Sequence, residues 1–176
     1  MKKQTALYLA EAAIIAALYV VLTYLSGLFG LANGAVQIRL SEALTILPFL
    51  TPAAVPGLFA GCLIADMLTG CLPIDTIAGS LATLAAALLT CLIRKLADRA
   101  ADTAKFSARK LRFLAPLPPI LLNTLTLPFV FRYAYGIEGS IPIFMLTVGL
   151  GELISCGVLG LLLLSVLKKN AGILFH

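Results

Sequence analysis

Arg39, Glu42, Asp66 and Glu152 stand inside runs of residues that are otherwise almost wholly apolar. Arg39 and Glu42 fall in VQIRLSEALTILPFL, Asp66 closes TPAAVPGLFAGCLIAD, and Glu152 sits in VGLGELISCGVLG. An ionised carboxylate accepts hydrogen bonds in pairs, and a charged partner or a low-dielectric surrounding strengthens them. Holding an ionisable group at bilayer depth costs about 2.5–3.5 kcal/mol on insertion scales, so such groups face protein or a wet cavity. Arg39 and Glu42 are three residues apart, which suits either an ion pair that fixes their helix or a wall of a polar pocket. Glu152 has no cation within a turn or two of its own segment, so its expected partner is a ligand, a proton, or Arg39 from another span. Asn123 offers a ligand contact or an interhelical hydrogen bond. Asp75 opens a helix, where its charge suits the N-terminal dipole, and Glu138 falls in a loop.

The elements that carry these groups must be membrane helices. Hydrophobic residues make up 61% of the 176 and charged residues 12%, with mean hydropathy +1.05, a balance that soluble domains do not show. At about 20 residues per crossing the length allows roughly six spans and no separate soluble catalytic domain. The expected fold is therefore all-α: an integral membrane protein of six transmembrane helices forming one domain over residues 1–176. The spans are expected at about 5–28, 36–50, 53–70, 74–96, 113–133 and 142–167. A polar loop at 97–112 separates the fourth from the fifth. The N-terminal apolar run is too long for the core of a signal peptide and reads as the first span. The second span is short, which leaves a recess roofed by the glycine- and asparagine-containing loop before it.

Basic residues set the orientation. Lys2 and Lys3 precede the first span. Arg94, Lys95, Arg99, Lys105, Arg109, Lys110 and Arg112 lie between the fourth and fifth, and Lys168 and Lys169 follow the sixth. An even number of crossings puts all three clusters on one face, so both termini are expected in the cytoplasm. Only Arg39 and Arg132 stand apart, near the outer ends of their spans. Arg39, Glu42 and Asp66 then share the outer mouth, with Glu152 near the midplane.

Several functions are disfavoured by what the chain lacks. No phosphate-binding loop is present, so the chain is not expected to hydrolyse ATP, and no hydrolase or zinc-protease motif is visible. Cys62, Cys71, Cys91 and Cys156 have no paired spacing and His176 is the sole histidine, which argues against a metal site and leaves the thiols as small buried hydrophobes. Basic residues mark topology, not a nucleic-acid surface. Small residues repeat at four-residue spacing, Ala12 with Ala16, Ala13 with Ala17, and Gly57 with Gly61. Such stripes let helix backbones approach closely. Packing within the chain is expected for the glycines, and docking of a partner subunit for the alanines.

QIRLSEALTILPFLTPAAVPGLFAGCLIAD, CLPIDTIAGSLATLAAALLT, LAPLPPILLNTL and VGLGELISCGVLG together resemble the QueT-type queuosine-precursor transporters, substrate-binding (S) components of energy-coupling factor importers. The similarity runs over about residues 10–168, with Cys71-Leu-Pro standing where the family is glycine-rich. The resemblance implies an S-component-like bundle in the plasma membrane, with a pocket closed by the first loop. It implies a transmembrane coupling subunit docked on Ala12, Ala13, Ala16 and Ala17, and two cytoplasmic ATPases that use ATP and magnesium, with no cofactor in this chain. The substrate would be a 7-deazaguanine such as queuine or its aminomethyl precursor. Glu152 would take the guanine edge, with Asp66 or Glu42 as the second acid. Arg39 or Asn123 would meet the carbonyl, and Phe49, Tyr133 or Tyr135 would stack on the ring. The alternatives are an S component for another metabolite or vitamin, and a stand-alone proton-linked carrier using Glu152.

Overall fold

A computed structural model describes residues 2–31, 37–103 and 111–169, and every regular element among them is helical. Helix α1 spans Lys2–Leu28, free of proline, with its glycine held back to the last turn. A 3₁₀ helix, η1, covers Leu40–Phe49; α2 is Ala54–Leu68 and α3 is Pro73–Thr103. A short 3₁₀ turn at Arg112–Leu114 leads into α4, Leu117–Tyr133. Helix α5, Ile141–Glu152, passes through a π-helical stretch, Leu153–Leu159, into α6, Gly160–Lys169.

Among the described residues, four stretches are long and apolar enough to cross a bilayer: Lys3–Leu28, Pro73–Arg99, Arg112–Tyr133 and Ile141–Leu167. Leu40–Phe49 and Ala54–Leu68 are shorter apolar helices. The arrangement is a chain of neighbours, α1 on α2, α2 on α3, α3 on α4 and α4 on α5. The shortness of η1 has its explanation here. It runs through the middle, touching α1, α2, α3, the π stretch and α6, and all of Ser41–Phe49 is buried. At about 2.0 Å per residue it is roughly 20 Å long, and it meets protein where the long helices meet lipid.

Residues at the close contacts are small for a reason. A Cβ on Gly57 would lie 2.7 Å from the Ala12 carbonyl oxygen, and one on Gly61 would lie 3.0 Å from Ala16 Cα. The glycine stripe of α2 is therefore spent on α1, as expected from the sequence. The alanine stripe divides: Ala12 is buried against α2 and Ala16 half-buried, whereas Ala13 and Ala17 are exposed. Gly70, in the left-handed region with φ +75°, ends α2, and Pro73 opens α3 at a position where its missing N–H costs nothing.

One expected boundary is corrected. The stretch assigned to a loop from residue 97 continues α3 to Thr103. RKLADRAAD is made of strong helix formers, and Arg94 faces Asp98 one turn on, Nε to Oδ2 3.7 Å. Polarity there does not end the helix. Residues 32–36 of the first loop, Lys105, Arg109, Lys110 and His176 lie outside the described residues.

Candidate functional site

Three helices converge on one buried polar group. Glu42 projects from η1, Asn123 from α4 and Glu152 from the end of α5, with 2%, 5% and 6% of their surfaces exposed. Asn123 Nδ2 donates to Glu152 Oε1 at 2.8 Å and to Glu42 Oε2 at 3.4 Å. The Tyr19 hydroxyl of α1 donates to Glu42 Oε1 in a short bond. Cys156 Sγ donates to Glu152 Oε2 at 3.0 Å and lies 3.3 Å from Thr45 Oγ1. The two carboxylates thus share neutral donors, and among the described residues neither has a cation in hydrogen-bond contact.

Backbone irregularity aims these groups. The π-helical stretch begins directly after Glu152, and such widened turns recur at functional sites because they re-aim side chains. On α1, Tyr19, Thr23 and Ser26 form a buried polar stripe at helical spacing. Thr23 Oγ1 donates to Ser41 Oγ at 2.9 Å, and Leu40 N donates to Ser26 Oγ at 2.8 Å, so this stripe anchors the first turn of η1. Gly151 receives the backbone of Gln37: a Cβ there would overlap the Gln37 carbonyl oxygen. The segment entering η1 is therefore seated one residue from Glu152.

A second group lies beside the first. Arg39 Nη2 meets Asp66 Oδ1 at 2.9 Å, with side-chain exposures of 23% and 2%. Cys62 Sγ donates to Asp66 Oδ2 at 3.5 Å, and Cys62 packs in the same cluster as Tyr19. A cleft of about 510 Å³, lined by Thr23, Tyr24, Arg39, Thr69 and Cys71, opens above this ion pair. Arg39 is the residue shared by the cleft and the ion pair.

The structure gathers five of the seven residues expected at the site and sorts them into two groups. Of the two readings open for Arg39 and Glu42, the ion pair between them is not formed; Arg39 pairs with Asp66 instead. Arg39 caps η1 in an extended conformation, φ −99° and ψ 109°, so it is off the stripe that carries Glu42. Phe49 is not brought in. It ends η1, about 20 Å along the helix from Arg39, and packs with Ile46, Ala97, Ala115 and Leu164. Tyr133 is also outside, 75% exposed and stacked on Phe129 with ring centroids 6.4 Å apart. Tyr135 donates to Asp75 Oδ2 at 2.8 Å and accepts from Leu72 N at 3.2 Å, tying the α4–α5 turn to the start of α3. Its partial burial and the bond to Asp75 hold its hydroxyl pKa above the ordinary range.

Tyr19 and Cys156 are additions. Tyr19 stands four residues from Ile15 and from Thr23 on the buried face of α1, and Cys156 stands four residues after Glu152, so helical spacing carried both signals. Glu42, Glu152 and Cys156 each place one oxygen or sulfur within 4.8 Å of the others, a grouping a metal could use. Among the described residues none around it is a histidine. The same acceptors suit N–H groups equally, and Asn123 already fills that role. Ser155 and Thr124 carry buried hydroxyls with no partner among the described residues.

A family model described as QueT transporter matches residues 9–169, from α1 to the end of α6. The chain belongs to this family. All of Tyr19, Arg39, Glu42, Asp66, Asn123, Glu152 and Cys156 lie within the matched range. The chain is also similar to the curated Queuosine precursor transporter QueT of Lactococcus lactis subsp. cremoris (strain MG1363), 37% identical over 84 residues. That match covers 48% of this chain and spans about half, 49%, of the relative. No solved structure gives a significant match. With several bilayer-length apolar helices and membership in a transporter family, this is a multi-pass membrane protein.

Proposed function

We propose that the chain is the substrate-binding membrane subunit of an ATP-driven energy-coupling factor importer, taking up a queuosine precursor, a 7-deazaguanine such as queuine or its aminomethyl form. The observation that carries this reading is the buried pair Glu42 and Glu152, joined through Asn123. A 7-deazaguanine presents ring and exocyclic N–H donors on one edge, and an aminomethyl group adds a cation elsewhere on the ring. Two carboxylates held apart by one amide suit that pattern: Glu152 takes the guanine edge and Glu42 the ammonium. Charge assistance in a site shielded from water makes each of these bonds strong. The membership of the chain in the QueT transporter family, and its similarity to a queuosine precursor transporter, support the same class of substrate.

In this reading the chain crosses the membrane six times with both ends in the cytoplasm. A transmembrane coupling subunit docks on the α1 face that includes Ala13 and Ala17, because Ala12 and Ala16 are already packed against α2. Two ATPases, using ATP and magnesium, supply the energy. Reconstitution tests this. Liposomes holding the chain alone should bind a 7-deazaguanine without accumulating it, and accumulation should require the partner subunits and ATP. Accumulation driven by a proton gradient without partners would sink the proposal in favour of a stand-alone carrier.

A further inference from the structure

Tyr19 is among the most deeply buried large side chains of the described residues, 1% exposed, on the face of α1 that packs against α2. A Cβ on Gly61 would lie 2.8 Å from Tyr19 Cβ, so the glycine gives the root of this side chain its room. The ring joins an apolar cluster with Ile15, Leu44, Leu58 and Cys62. Phenylalanine would fill that place equally well, so packing does not account for the hydroxyl. Further along the same stripe, Ser26 Oγ folds back on α1 itself, donating to Leu22 O at 2.8 Å. A phenol is too long to fold back in this way, and that of Tyr19 reaches across to Glu42.

The two buried acids are held by different parts of the fold. Glu152 has Asn123 Nδ2 at 2.8 Å on one oxygen and Cys156 Sγ at 3.0 Å on the other. Glu42 meets Asn123 only at 3.4 Å, beyond the usual range of an N–H···O bond, so Tyr19 is the donor that fixes it. We propose, resting on the assignment of Glu42 to the ligand's ammonium, that Tyr19 is the positioning residue that aims this carboxylate. It thereby sets a preference for amine-bearing over neutral 7-deazaguanines. The backbone of η1 is enclosed by its neighbours, so what is left for Tyr19 to fix is the direction of the side chain. An ionised carboxylate offers about four acceptor positions, so one hydroxyl leaves room for an ammonium. Without that hydroxyl Glu42 loses its fixed direction. Glu152 keeps both of its donors, and its hold on the guanine edge is untouched.

Calorimetric titration of the full chain in detergent tests this with two ligands that share the guanine edge, 7-aminomethyl-7-deazaguanine and the neutral 7-cyano-7-deazaguanine. The wild type should favour the amine. Tyr19→Phe should lower affinity for the amine about tenfold, the low end for a charge-assisted hydrogen bond, and leave that for the nitrile within about twofold. In a Glu42→Gln background Tyr19→Phe should have no further effect on the amine, because the double-mutant cycle isolates the coupling of the two residues. Thermal midpoints verify that the variants are folded. Equal loss for both ligands, or a Tyr19→Phe chain that no longer folds, would make Tyr19 a support of the fold and overturn the assignment. So would unchanged affinity for the amine, additive losses in the cycle, or a wild type that binds the two ligands equally. A wild type that binds neither ligand would sink the substrate reading itself, and the role of Tyr19 with it.

Discussion

Asn123 is the residue on which the buried acids depend. Its amide hydrogens bond to Glu42 and Glu152 together, so Asn123→Ala leaves two carboxylates facing each other without their shared donor. The expected cost is about 1–3 kcal/mol of stability, read as a lowered thermal midpoint in detergent, because one buried oxygen of each carboxylate loses its donor. The Arg39–Asp66 pair gives an asymmetric test. Asp66 is almost fully buried, so Arg39→Met strands its charge and should cost about 3 kcal/mol or more. Replacing both, Arg39→Met with Asp66→Leu, should recover much of that loss. A double variant as unstable as the single one would show that the charge is not what matters there. Arg39, Glu42, Asp66, Asn123 and Glu152 were legible in the sequence because polar groups in apolar runs are costly. Tyr19 and Cys156 carried only the weaker signal of four-residue spacing, which points to the site once the buried face of each helix is known. Phe49 and Tyr133 misled because ring chemistry alone does not say which end of a helix a ring occupies.

At the level of elements, the four long helices could be read from hydropathy, whereas the 3₁₀ form of η1 and the π stretch after Glu152 could not. Both depart from the ordinary 3.6-residue period, and tertiary packing imposes them. The seating of Gln37 on Gly151 makes a sharp prediction for this part of the fold. Gly151→Ala places a Cβ into the Gln37 carbonyl, so the segment leading to Arg39 and Glu42 must shift. Binding of a 7-deazaguanine should weaken by about tenfold or more, although residue 151 adds only a methyl group, as expected when positioning is disturbed from a distance. Unchanged affinity by titration would mean that the segment moves away on its own when ligand enters. The α1–α2 contact gives a stability counterpart. Gly61→Leu should separate the helices, at a cost of about 1–3 kcal/mol from overpacking, while Gly27→Leu, which meets nothing within 4 Å, should be nearly silent in the same thermal assay.

For the whole molecule, composition alone required a membrane protein, and the family match over residues 9–169 makes it a transporter-family member. What composition could not convey is that a ten-residue apolar helix, η1, is enclosed by its neighbours and carries a buried acid. Burial of Ser41–Phe49 depends on which segments surround it, and that lies in the packing of distant parts of the chain. A membrane subunit that only binds should hold its ligand without nucleotide, with affinity set by Glu42 and Glu152. The most direct measurement is calorimetric titration of the detergent-purified chain with 7-aminomethyl-7-deazaguanine, wild type against Glu152→Gln. The glutamine keeps the shape but removes the charge, so affinity should fall by about 10- to 100-fold, the loss expected for charge-assisted hydrogen bonds. A Glu152→Gln variant that binds this ligand as tightly as the wild type would contradict the assignment of the site.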